Sequence, residues 1–77
     1  MTTEPLYQLR AVDGWMLISA SDVAALGLID GAVIDERGLR GRLARLGNRS
    51  IAEAIHALLD QEEPGFVISV QVWEARK

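Results

Sequence analysis

Residues 6–11 alternate, with Tyr7, Leu9 and Ala11 set against Gln8 and Arg10, which is the two-residue period of a strand. Residues 15–20 resume the alternation. Between the two runs stands Asp13-Gly14, the pair best suited to a two-residue type I′ hairpin turn. Such a turn pairs Val12 with Trp15, Ala11 with Met16, Leu9 with Ile18 and Tyr7 with Ala20. Tyr7, Leu9, Ala11, Met16, Ile18 and Ala20 then share one face, and Val12, Trp15 and Leu17 share the other.

The pattern then changes. Ser19-Ala-Ser-Asp22 predicts a capping box opening a short helix over residues 23–26. Gly27 suits the position just past its end, with Leu28 or Ile29 folding back as the apolar contact. Asp30-Gly31 marks a turn, and residues 32–34 a short extended segment. Over residues 37–49 the leucine spacing favours a helix, because Leu39, Leu43 and Leu46 fall within about 60° of one another. The alternation of Leu39, Gly41 and Leu43 with Arg40 and Arg42 also fits a strand. Ser50-Ile-Ala-Glu53 predicts a second capping box, starting a helix in which Ile51, Ile55, Leu58 and Leu59 share a side. Pro64-Gly65 ends it. Residues 66–73 predict the last strand, with Phe66, Ile68, Val70 and Val72 on one face and Val67, Ser69, Gln71 and Trp73 on the other.

The expected architecture is α+β, a small antiparallel sheet built from the N-terminal hairpin and the C-terminal strand. Two to three helices pack on one face. Residues 1–77 are expected to form one domain, given 77 residues without a linker, repeat or low-complexity tract. An apolar fraction of 49% with 25% charged residues argues against disorder.

The absence of cysteine removes a disulfide framework, a thiolate zinc site and a cysteine nucleophile. A small unstapled domain with no signal-peptide pattern at its start is expected in the cytoplasm. No stretch approaches the length of a membrane span.

Candidate chemistry is thin. One histidine, His56, stands at helical spacing from Glu53 and Asp60, which reads as a solvated polar face with a carboxylate–histidine pair. No nucleophile stands beside it, and the ligands for a metal are too few. Gly38, Gly41 and Gly47 match no phosphate-binding loop. Asp35-Glu36 and Glu62-Glu63 are sequence neighbours that point apart. No catalytic residue, metal site or cofactor is expected, and the chain reads as a non-enzyme.

Two features rise above that background. Arg37, Arg40, Arg42, Arg45 and Arg49 occupy thirteen residues without one acid, inside a chain of net charge −3. Arginine forks match phosphates or orient a docking acidic protein. They can equally be neutralised within the chain, by Asp30, Asp35, Glu62 or Glu63. The second feature is the apolar outer face of the sheet, with Trp15, Leu17, Val67 and Trp73. Both tryptophans fall there, the residue type most enriched at binding hot spots. In the plainer alternative, Trp15 lies over the hairpin turn and Trp73 covers a sheet edge.

Residues 18–33, ISASDVAALGLIDGAV, are similar to the strand–helix–LGLxxGxxV run of AbrB-type swapped-hairpin regulators, a pattern that recurs in double-psi barrels. The resemblance implies a dimeric DNA-binding regulator. The chain departs from it in lacking a proline at the helix start and in continuing with a long helix and a further strand.

Together these readings point to a non-enzymatic protein-binding module of the small adaptor or inhibitor type, a class that includes phage inhibitors. Its contact residues are Trp15, Leu17, Val67 and Trp73, with Arg40, Arg42, Arg45 and Arg49, and its partner is another protein or a second copy. The alternative is a nucleic-acid-binding transcriptional regulator contacting phosphates through the arginine segment. Overall acidity and the lack of interleaved aromatics count against it. No membrane contact is expected.

Overall fold

The computed structural model describes residues 5–73. Residues 1–4, read above as free of a signal-peptide pattern, and residues 74–77 lie outside it. The chain runs β1 (Leu6–Arg10), β2 (Trp15–Ser19), α1 (Ala20–Ala25), β3 (Val33–Asp35), α2 (Glu36–Leu43), α3 (Arg49–Asp60) and β4 (Val67–Trp73). The four strands form one sheet in the order β2-β1-β4-β3, antiparallel throughout. The fold is α+β, with the helices packed against the sheet.

The core is wholly apolar. Leu9, Ile18, Leu26, Leu39, Ile55, Leu59, Ile68 and Val70 are almost fully excluded from solvent, and no polar or charged residue is buried among the described residues. Each such side chain contributes about 1.5–3 kcal/mol relative to exposure. The fold therefore rests on burial. Leu9, Ile18, Ile68 and Val70 come from the sheet, and Leu39, Leu43, Ile55, Leu58 and Leu59 from α2 and α3.

The N-terminal hairpin forms in a different register from the one its turn pair predicts. Arg10 pairs with Trp15, Leu9 with Met16 and Tyr7 with Ile18. A four-residue connection, residues 11–14, replaces the two-residue turn. Neither Asp13 nor Gly14 takes the positive φ that a type I′ turn requires. Two tertiary contacts account for the difference. The Glu62 carboxylate accepts hydrogen bonds from the Asp13 and Gly14 amides, at 3.0 and 3.1 Å. Ala11 is drawn into the core. The shift is two residues, so each side chain keeps its predicted face.

The first helix forms as its sequence predicts. Ser19 Oγ accepts from the Asp22 amide at 3.2 Å and donates to its carboxylate at 3.1 Å. At the other end Gly27 adopts φ 75°. Its amide reaches the Ala24 carbonyl, and the Leu28 amide reaches Val23, which is the Schellman arrangement. Leu28 is the buried apolar contact, and Ile29 is exposed.

Residues 37–49 resolve into two elements. Asp35 caps α2, its carboxylate accepting from the Gly38 amide at 2.7 Å, and the helix stops at Leu43. The third helix then starts at Arg49, one residue ahead of the predicted capping box. Its cap is Asn48, whose Oδ1 accepts from the Ile51 amide at 3.2 Å. Asn is as good a cap as Ser, and here Ser50 sits inside the first turn.

A candidate protein-binding face on the open side of the sheet

All the helices lie on one side of the sheet, so among the described residues no helix covers the opposite side. Strand alternation and the observed registers place Trp15 and Leu17 of β2, Leu6, Gln8 and Arg10 of β1, Val67, Ser69 and Trp73 of β4, and Val33 of β3 on that open side. Leu6, Trp15, Val33, Val67 and Trp73 are all solvent-exposed there, and Leu17 is half-buried. The four apolar contact residues expected from the sequence therefore share one face.

Trp15 and Trp73 are also in contact with each other. Their ring centroids lie 5.8 Å apart with an interplanar angle of 18°, a stacked pair joining β2 to β4 across β1. Trp15 is opposite Arg10, and Trp73 is opposite Leu6, so the rings approach diagonally past Gln8. Trp15 remains 52% exposed and Trp73 39% exposed. The pair thus makes an apolar surface that is still partly open to solvent.

The arginines lie elsewhere. Leu39 and Leu43 turn α2 toward the core, which places its charged face on the helical side, away from the tryptophans. Arg40 donates to Glu36 and to Asp60, each at 2.8 Å, and its Nη1 lies 3.2 Å from His56 Nδ1. Hydrogen bonds donated to Glu36, and then to Asp60, raise its pKa above the ordinary arginine value. Arg42 donates to the Leu26 and Gly27 carbonyls, at 2.9 and 3.3 Å, and so caps the C-terminal end of α1.

Arg37, Arg45 and Arg49 are exposed and make no ion pair among the described residues. Three of the four counter-charges expected from the sequence are engaged otherwise, and Glu63 makes no ion pair with an arginine among the described residues. Asp30 accepts from the Val72 amide, Asp35 caps α2, and Glu62 holds the hairpin turn. Arg40's acidic partners, Glu36 and Asp60, come instead from its own helix and the next one.

His56 is placed by Arg40, not by a carboxylate. It lines a pocket of about 200 Å³ with Arg40, Arg49 and Glu53, and no hydroxyl nucleophile stands in that pocket. A concavity of about 430 Å³ is edged by Asp13, Glu62 and Glu63, but Glu62 is already bound to main-chain amides. Among the described residues no group of histidine and acidic side chains is arranged to hold a metal ion, and no helix is long and apolar enough to cross a membrane.

Sequence reasoning missed Glu62 as the organiser of the hairpin, and no local pattern marks a contact between residues so far apart. It also missed the division of the arginines into structural and free ones. No protein-family model, curated protein or solved structure matches this chain.

Proposed function

We propose that this chain is a non-enzymatic protein-binding module of the small adaptor or inhibitor type. Its contact surface is the open sheet face around Trp15, Leu17, Val67 and Trp73. The observation that carries the reading is the Trp15–Trp73 stack, 5.8 Å between centroids, on a face that no helix covers. Two indoles held against each other lose little further rotamer entropy on binding, which suits them to anchor a partner. Of the free arginines, Arg45 and Arg49 belong to the α2–α3 connection and the start of α3, while Arg37 borders a concavity together with Val67. In this reading the arginines steer a partner's approach more than they fill its footprint.

A nucleic-acid-binding reading draws support from those same three exposed, unpaired arginines. It is the weaker one, because Arg40 and Arg42 are engaged inside the chain. Affinity capture from host lysate tests the two together. Proteins retained after nuclease treatment, and lost when Trp15 and Trp73 are both changed to Ser, support the protein-binding module. Retention that vanishes with nuclease, and follows the arginines, overturns it in favour of the regulator.

A further inference from the structure

The two edge strands of the sheet differ, β3 being three residues ending on Asp35 and β2 five residues without a charge. Beside β3, the Gly31 amide and the Ala32 carbonyl extend the pairing to Val70, at 2.7 and 2.9 Å. The Asp30 side chain then accepts from the Val72 amide at 2.9 Å. The stretch of β4 that runs past β3 is thus paired by the turn leading into β3.

Among the described residues nothing pairs with the outer edge of β2. Hydrogen bonds from the Ala11 amide to Gly14 and from the Ala20 amide to Pro5 bracket the hairpin ladder. Bonded and non-bonded pairs alternate in an antiparallel ladder, so Met16 and Ile18 are the residues bonded to β1. The amides of Trp15, Leu17 and Ser19 and the carbonyls of Trp15 and Leu17 point away from the sheet, where no strand lies. Natural edges are blunted by charge, proline or a bulge, and Trp-Met-Leu-Ile-Ser has neither charge nor proline.

We propose that β2 pairs antiparallel with β2 of a second copy about a twofold axis at Leu17. The strand is its own complement in that register. Leu17 meets Leu17, Met16 meets Ile18, and the large Trp15 meets the small Ser19. No charge faces its like, although the chain carries a net −3. Below the edge, Gly14, Trp15, Met16, Ala54, Ala57 and Gln61 border an uncharged groove of about 380 Å³, which leaves room for the second hairpin. The two four-stranded sheets become continuous, and both tryptophan stacks then lie on one outer face. This inference uses the edge and does not depend on what the open face binds.

A five-residue edge is smaller than a standard interface of about 800 Å² per partner, so the association should be weak and concentration-dependent. Sedimentation velocity over a dilution series from about 500 µM to about 5 µM reads it. The mass should fall from twice 8.4 kDa toward 8.4 kDa. Leu17→Pro removes a donor that β1 does not use, and Leu17→Lys places charge on charge. Both should stay monomeric with an unchanged far-UV circular dichroism spectrum, while Val33→Lys on the other edge should still dimerise.

If either Leu17 variant unfolds, cross-linking decides, since the chain has no native cysteine. A short bifunctional thiol reagent should join Leu17→Cys chains and leave Val33→Cys chains single. A native chain that stays monomeric at the highest concentration overturns the proposal and leaves the protein-binding reading standing. Association that Val33→Lys abolishes, or cross-linking through Val33→Cys alone, overturns it as well.

Discussion

Trp15 and Trp73 stack on each other across β1, although their register positions lie on different strands and at different levels of the sheet. The contact ties the edge strand β2 to the central strand β4 from the solvent side. A stacked aromatic pair adds about 0.5–1.5 kcal/mol beyond its buried area, and both rings are substantially exposed. Changing either one to Ala should therefore cost little more than that, and a double-mutant cycle should return a coupling in the same range. The exciton signal of the paired indoles in far-UV circular dichroism should disappear in both single variants.

The Glu62 carboxylate holds the hairpin turn from 48 residues away. Glu62→Ala leaves two turn amides without their partner and should destabilise the fold by about 1–3 kcal/mol. Gly14→Ala should also destabilise, by about 1 kcal/mol, because an added Cβ would lie 2.6 Å from Leu58 Cδ1 and that buried side chain must give way. Denaturant melts of the two variants check both values.

The hairpin shows what the sequence can and cannot reveal. Its faces were legible because alternation survives a two-residue shift. Its register was not, because Asp13-Gly14 is a strong turn pair only when nothing else claims its amides. Capping was legible at Ser19, where side chain and helix agree, and misplaced by two residues at Ser50. Asn48 and Ser50 are both competent caps, and the choice between them falls to the path of the loop. The open face was readable from parity alone. The division of the arginines was not, since Arg40 and Arg42 owe their partners to where α1 and α3 lie in the fold.

The capping assignment is directly testable. Asn48→Ala should cost about 1 kcal/mol, and Ser50→Ala at the second helical position only a few tenths. Equal costs, or the reverse order in thermal melts, would restore Ser50 as the cap.

The arginines should separate in the same way. Arg42→Ala loses its bonds to the Leu26 and Gly27 carbonyls and should destabilise by about 0.5–1.5 kcal/mol. Arg40→Ala breaks a partly exposed link between α2 and α3, worth under about 1 kcal/mol and less at high salt. Changing Arg37, Arg45 and Arg49 together to Gln should leave the melting temperature nearly unchanged, because those side chains hold nothing in the fold.

The most direct measurement of the protein-binding account is calorimetric titration of a captured partner against the native chain and two variants. One carries Trp15→Ala and Trp73→Ala, and the other Arg37→Gln, Arg45→Gln and Arg49→Gln. The account predicts that the tryptophan variant stays folded and binds at least about thirtyfold more weakly, a hot-spot loss of about 2 kcal/mol or more. The arginine variant should keep most of its affinity. Unchanged affinity in the tryptophan variant, with loss confined to the arginine one, would contradict it.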